Sequence, residues 1–334
     1  MTPNISPWLT NNRSAWNASV HSWLTDVAAT YELGQIESTT ILKERPWSTV
    51  CQVTFTHHTT YFKACSAAGH YEPNLLCFLQ DQSILSGPKI IAVELEHKWI
   101  LMRDMGVPIR TAQPELNQLS ILCRALSDYA KLQISSIKWI DHLLEMGLPD
   151  RRLAYLPTLL DELLADAVIG VGRSAGEVDE LRTAARKLLP KFERVCKTLD
   201  TPPCANALEH GDFHMSNLLV KDGVYSLIDW GDACITHPFC SILVTVEAAL
   251  EQVPAPDKIR WNDKMRDAYL APWQSHVQAD ALLHDFERAQ WVAHVGRALD
   301  FVHMLSGADE ETLNQWRPMI FDRLKMWVEA EILL

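Results

Sequence analysis

Leu208-Glu-His-Gly-Asp-Phe-His-Met-Ser-Asn-Leu-Leu-Val-Lys-Asp-Gly-Val-Tyr-Ser-Leu-Ile-Asp-Trp-Gly-Asp-Ala233 is the stretch that decides the fold of this chain. Within it, His210-Gly211-Asp212 is followed five residues on by Asn217. Eleven residues then separate Asn217 from Asp229, and the run Val224–Ile228 that leads into Asp229-Trp230-Gly231 reads as a β-strand. The chemistry of these side chains is separable. Asp212 can accept the proton of an attacking hydroxyl. Asn217 can offer an amide oxygen to a divalent cation, and Asp229 a hard anionic oxygen. Gly211 and Gly231 allow tight backbone where a side chain would crowd a site. HGD or DWG alone is a weak signal. HGDxxxxN followed by a hydrophobic strand ending in DWG is specific as a set, against the competing reading of a polar loop with coincidental acids.

This is the order and spacing of a kinase catalytic loop followed by its metal-binding aspartate. HGDFHMSNLL…LIDWGDA resembles the aminoglycoside phosphotransferase family, which shares its fold with choline kinases and, more distantly, protein kinases. Gly211, where protein kinases have Arg, and Trp230, where they have Phe, favour this branch. The resemblance implies an α+β, two-lobed protein-kinase-like fold, with an antiparallel sheet and a helix in the N-lobe and a mainly helical C-lobe. It also implies ATP-dependent phosphorylation of a small-molecule hydroxyl, with Mg²⁺ as the metal and GTP as an alternative donor. In that scheme Asp212 orients the hydroxyl, and Asn217 and Asp229 hold the metal. One family feature is missing, because His237-Pro238-Phe239-Cys240-Ser241 has no Asp after its Pro.

The rest of the chain is read outward from this segment. Before residue 106, short β-rich runs dominate. Thr49–Phe55 and Thr60–Ala64 are rich in β-branched and aromatic residues, and His57-His58-Thr59 between them reads as a hairpin loop. Lys89–Leu95 and Trp99–Met102 read as a second antiparallel pair. Helices are expected over Ala15–Ala29 and Tyr71–Gln80. After residue 106 the period becomes helical: Leu119, Leu122, Leu126 and Tyr129 share one face, as do Leu156, Leu159, Leu160, Leu163 and Leu164, with Pro157 acceptable in a first turn. The expected division is an N-lobe over 1–105 and a C-lobe over 106–334, with several amphipathic stretches in the tail.

A kinase needs a strand lysine for the α/β-phosphates and a helix glutamate to hold it. Lys63 sits on the strand Thr60–Ala64, and Glu72 opens the next helix nine residues on; Glu94 and Glu96 are other N-lobe acids. Where protein kinases have a glycine-rich loop, this chain has Arg45-Pro-Trp-Ser-Thr49, whose Ser48 hydroxyl and Ser48 and Thr49 backbone N–H groups suit a phosphate. An ordinary turn before a strand is the alternative. Ile100–Gly106 resembles the connection between lobes, with backbone from Arg103 to Met105 facing the adenine edge. His210 is expected to make structural hydrogen bonds, and His214 to support the loop. Asp232 either touches a second metal or caps the turn.

Hydrophobic residues make up 48% of the 334 and charged residues 22%, which excludes disordered, collagen-like and coiled-coil readings. The formal charge of −12 makes the chain a poor nonspecific partner for nucleic acid or anionic membrane. The eight cysteines show no CxxC spacing, so no structural zinc site is expected. No signal peptide or membrane span is read, and a cytoplasmic protein with reduced thiols is expected. Ten of the twelve negative units fall after residue 105. That excess suits either solvated helix faces or an acidic cleft for a cationic alcohol, such as an aminoglycoside, amino sugar or choline-like molecule. Glu247 and Glu251, one helical turn apart, are the candidate substrate contacts. A catalytically silent nucleotide-binding protein is the alternative from another class. A protein kinase is disfavoured, since no APE motif follows Asp229.

Overall fold

The computed structural model describes residues 6–10, 12–82, 87–112, 115–201, 204–251, 253–306 and 308–330. The N-terminal part opens with α1 (Arg13–Thr30) and builds a five-stranded antiparallel sheet. Its strands are β1 (Ile36–Glu44), β2 (Ser48–Phe55), β3 (Thr59–Cys65), β4 (Ile90–Glu94) and β5 (Trp99–Arg103), in the order β1-β2-β3-β5-β4. The helix α2 (Glu72–Gln82) lies between β3 and β4. Alternation along β3 sorts its side chains onto two faces. Phe62 and Ala64 join the core beneath α1, where Trp16 and Trp23 approach Phe62 and Trp99. Lys63 and Cys65 turn to the other face, toward α2 and the rest of the molecule.

The antiparallel pairs and both N-terminal helices expected from sequence are present, with ends shifted by one or two residues. Strand β1 is the exception, since the sequence reading names no strand there. Its interior is exposed along its whole length, so it carries no inward–outward alternation to read.

Gly106 marks the change of character. It has φ +90°, and a Cβ there would lie 2.1 Å from the Val220 carbonyl oxygen. The short strand β6 (Val107–Pro108) follows and pairs with β8 (Leu218–Lys221), which pairs with β9 (Val224–Leu227). The chain then runs through α3 (Ile109–Ala112), α4 (Glu115–Ser136), α5 (Ile140–Glu145), α6 (Leu156–Ala165) and α7 (Ala175–Leu199). Leu122, Leu126 and Tyr129 of α4, and Leu156, Leu160, Leu163 and Leu164 of α6, lie in one large core. Strands β7 (Ala207–Glu209) and β10 (Cys234–Thr236) pair antiparallel and bracket residues 210–233. The tail is helical, as α8 (Ile242–Leu250), α9 (Lys258–Leu270), α10 (Ala279–Met304), α11 (Glu310–Trp316) and α12 (Pro318–Ala330). No helix among the described residues is long and apolar enough to cross a membrane.

The turn before α8 is capped despite the missing Asp. His237 Nδ1 accepts the Phe239 N–H at 3.3 Å. Burial pushes the His237 imidazole down to about 3, from an ordinary 6.5. An unfolded chain therefore takes up a proton near pH 6.5 that the folded chain refuses, and stability falls as pH drops below that value. At about 1.36 kcal/mol per pH unit, His237 accounts for about 2 kcal/mol between pH 6.5 and 5. His237→Asn keeps an acceptor and removes the titration. Urea unfolding at pH 7 and pH 5 should show a smaller acid loss in the variant, and equal losses would refute the assignment.

Candidate active site

The segment from His210 to Asp229 is pinned from behind by one imidazole. Burial pushes His210 down to about 4, so it is neutral near pH 7. Its Nδ1 accepts the Asp212 N–H at 3.2 Å, and its Nε2–H donates to the Ile228 carbonyl at 3.0 Å. One ring thus ties Asp212 to the residue before Asp229. Gly211, at φ +79°, makes the bend, and a Cβ there would lie 2.2 Å from the Asp232 carbonyl oxygen. The expected structural role of His210 matches these bonds.

Both carboxylate oxygens of Asp212 are engaged. Arg297 Nη2, from α10, donates to Oδ1 at 2.8 Å. Asn217 Nδ2 donates to Oδ2 at 3.3 Å, and His214 Nε2 stands 3.3 Å from the same oxygen. Burial works against the charge, but the His214 hydrogen bond and the Arg297 charge outweigh it and hold the carboxyl well below the usual carboxylate range. Asn217 Nδ2 also donates to the Asp212 carbonyl at 3.0 Å. That fixes the amide and leaves its oxygen as the atom able to meet a cation. His214 Nδ1 accepts the Ser216 N–H at 3.1 Å, consistent with support of the loop.

Lys63 joins the two halves of the molecule. Its Nζ donates to Glu72 Oε1 at 2.7 Å and to Asp229 Oδ1 at 2.6 Å. Burial disfavours the ammonium, but Asp229 and Glu72 reverse that and raise its pKa well above the ordinary lysine value. Glu72 also accepts the Trp230 N–H at 3.0 Å and the Cys65 thiol at 3.2 Å. Tyr71 donates to the Gly231 carbonyl at 2.6 Å, and His303 Nε2 meets the Ala68 carbonyl at 3.0 Å. Asp229 sits at φ +68°, a left-handed conformation that Asp tolerates better than most residues. Lys63, followed by Lys43 at 3.7 Å from its Oδ2, holds the Asp229 carboxyl below its usual range against burial.

These groups line a cavity of about 380 Å³ between the sheet and the helices α10–α12. Of the residues singled out from sequence, Ser48, Lys63, Glu72, Asp212 and Asp229 line it. Six other sequence-predicted residues do not line it: Asn217, whose amide is held by Asp212, together with Thr49, Arg103, Met105, Glu247 and Glu251. Thr49 turns to the opposite face of β2, where its hydroxyl reaches the Lys43 carbonyl at 3.4 Å. Arg103 ends β5 exposed, with its N–H on the Lys89 carbonyl at 2.9 Å, and Met105 is buried in the core. Neither side chain lines the cavity. Glu247 does not line it either, because it faces α12 and pairs with Arg323 at 2.6 Å. Glu251 is exposed at the end of α8, away from the lining. The one-turn spacing was right for a helix, but it cannot tell which way that helix faces.

The turn over the cavity is tethered. The Ser6 hydroxyl donates to the Pro46 carbonyl, and the Trp8 indole N–H donates to the Arg45 carbonyl at 2.9 Å. Trp47 meets Trp316 of α11 edge to face, with centroids 5.2 Å apart.

Lys43 and Arg297 are the residues the sequence reading missed. Lys43 is reached only through β1. Arg297 lies 85 residues beyond Asp212 and has no local signature. Its Nη1 also donates to the Gly211 carbonyl at 3.0 Å and to Asp232 Oδ2 at 3.3 Å, and its guanidinium lies 4.9 Å from the Phe301 centroid. Asp232 therefore faces this arginine, and burial together with Asp212 and Asp229 pushes it up to about 6 in spite of it. Arg297→Ala would take the arginine from two partly buried carboxylates, Asp212 and Asp232, and should destabilise the fold by about 1–3 kcal/mol. Arg297→Lys keeps the charge but loses the fork, and should recover part of that loss. Equal unfolding midpoints for wild type and Arg297→Ala would contradict this reading.

A buried lysine shared between a helix glutamate of the sheet lobe and an aspartate of the helical lobe puts the chain in the kinase-like class of phosphotransferases. Its family is narrower. Residues 66–276 match the phosphotransferase enzyme family, and the chain belongs to it, as an enzyme of phosphoryl transfer. Among solved structures, it is similar to choline kinase LicA from Streptococcus pneumoniae, with 10% identity, 95% of this chain and 100% of that chain covered, and a TM-score of 0.60. It is also similar to macrolide 2'-phosphotransferase MphH from Brachybacterium faecium, with 13% identity, 90% and 97% covered, and a TM-score of 0.57. Aminoglycoside phosphotransferase APH(4)-Ia in complex with ADP and hygromycin B gives 13% identity, 93% and 98% covered, and a TM-score of 0.55. At such identities the likeness establishes the two-lobed fold. No curated protein matches the chain in sequence.

Proposed function

We propose that the chain transfers the γ-phosphoryl group of ATP to a hydroxyl of a small molecule, within a cleft between an N-lobe over 1–105 and a C-lobe over 106–334. The observation that carries the reading is the shared cavity, where Asp212 and the Lys63–Glu72–Asp229 set face one space. Lys63, with Lys43 beside it, meets the nucleotide phosphates, and Ser48 supplies a hydroxyl from the turn above. Asp212 is ionised near neutral pH and held by Arg297, so it accepts a hydrogen bond from the acceptor hydroxyl and orients it for in-line attack. Such a strongly held carboxylate is a better positioning group than a proton sink.

The donor set fits Mg²⁺, because an Asp229 carboxylate and an Asn217 amide oxygen are hard ligands. When bound, the metal neutralises charge on the phosphates. GTP stands as an alternative donor, and a cytoplasmic location suits eight unpaired cysteines.

Thermal unfolding tests the reading without knowledge of the acceptor. ATP with Mg²⁺ at about 100 times its Kd should add about 2.7 kcal/mol of stability, an effect lost in Lys63→Met. No shift with millimolar ATP or GTP in the presence of Mg²⁺ would sink the proposal.

A further inference from the structure

Beyond the phosphate-facing residues, the cavity wall changes in chemistry. Trp47 comes from the turn before β2, Phe301 and Met304 from α10, Trp316 from α11 and Met319 from α12. All five side chains are apolar or aromatic, and they stand on the same cavity as Asp212. Four carboxylates line the cavity, and each already has a cationic partner. Glu72 and Asp229 share Lys63, while Asp212 and Asp232 share Arg297. Lys43 and Arg45 line it as well, so its four acidic side chains are matched by four basic ones. Among the described residues, this wall offers an ammonium group no unpaired carboxylate.

We propose that the acceptor is a neutral alcohol with an apolar body that lies against Trp47, Phe301, Met304, Trp316 and Met319 while its hydroxyl meets Asp212. The inference rests on the phosphotransferase reading above and narrows its substrate class. Two arguments carry it. A polyhydroxylated amino sugar would bring polar groups that need partners when buried, and this wall supplies few. The His303 Nε2 is already set against the Ala68 carbonyl. Aromatic faces also attract quaternary ammonium groups. Here, however, the face of Phe301 is covered by the Arg297 guanidinium, and Lys43 and Arg45 add positive charge to the lining. What remains for the acceptor is shape and apolar surface. Both lobes contribute to that surface, since Trp47 and Trp316 meet edge to face across the cleft.

Matched alcohols test the inference. The wild-type enzyme with ATP and Mg²⁺ is given 3,3-dimethylbutan-1-ol and its cationic isostere choline, then larger aliphatic and aryl alcohols paired with their trimethylammonium analogues, and an amino sugar. ADP release is measured. The best acceptor should be neutral and apolar, with kcat/KM above its cationic isostere by about tenfold or more. Trp316→Ala should raise KM for that alcohol by about tenfold, more than it raises KM for ATP, and Trp316→Phe should recover part of the loss. A cationic best acceptor overturns the inference, as does a panel on which no apolar alcohol is turned over, or a Trp316→Ala enzyme with unaltered acceptor KM. If ATP with Mg²⁺ produces no thermal shift, the phosphotransferase reading fails first. If it does produce one and a cation is preferred, only the substrate class fails.

Discussion

Asp212→Asn is expected to lower turnover by about a hundredfold or more while nucleotide still binds, since a misoriented attacking group typically costs about 10²-fold. The substitution is nearly isosteric, so the loop should keep its course. His210 holds the Asp212 backbone N–H, and Asn217 holds its carbonyl. Two things change at the side chain. The acceptor hydroxyl loses an anionic oxygen, and Arg297 loses one of its charged partners while keeping Asp232. Because Asp212 is ionised far below neutrality, the wild-type rate should not fall through this group between pH 8 and pH 5. Steady-state rates on an acceptor and the ATP-induced thermal shift measure the two halves of this expectation. An Asp212→Asn enzyme with unimpaired turnover would remove Asp212 from the chemistry.

Asp229→Ala is expected to abolish Mg²⁺-dependent nucleotide binding without unfolding the protein. Among the described residues, Glu72 and Asp229 are the carboxylates that pair with Lys63, and Asp229 is the one that also meets Lys43. Lys63 keeps Glu72 at 2.7 Å, so no buried charge is orphaned. The remaining cost is conformational, because the residue sits at φ +68°. Alanine is less at ease there than Asp or Asn, at about 1 kcal/mol. Asp229→Asn should therefore unfold like wild type and separate backbone strain from metal binding. Calorimetric titration of ATP with and without Mg²⁺ reads the loss. Binding to Asp229→Ala that still depends on Mg²⁺ would show the metal is held elsewhere.

The parts of the molecule that sequence reveals are those whose chemistry is local. The 208–233 segment packs Asp212, Asn217 and Asp229 at kinase-like spacing into one loop and one hairpin, so their spacing is informative by itself. The β2–β3 hairpin is legible because one face packs on α1 and the other faces the cleft, which writes a period of two. Strand β1 has no buried face along most of its length, and so neither it nor Lys43 could be read. Arg297 illustrates the other limit. It gathers Asp212, Asp232 and the Gly211 carbonyl across the fold, and that convergence exists only once α10 has packed. The acidic excess of the C-terminal part was legible as a number but not as a place. Glu247 shows why, since an arginine from α12, 76 residues away, takes its carboxylate.

The tethered turn over the cavity has a kinetic meaning. A glycine-rich flap can lift while the rest of an enzyme stays shut. Here Ser6 and Trp8 hold the turn from above, and Trp47 rests on Trp316 below. Lys63 on Asp229, Tyr71 on Gly231 and His303 on Ala68 fasten the same cleft further in. Moving the whole sheet away from the helices would break those contacts together. A motion of that kind belongs to the microsecond-to-millisecond clock of domain movement rather than the faster one of loop fluctuation.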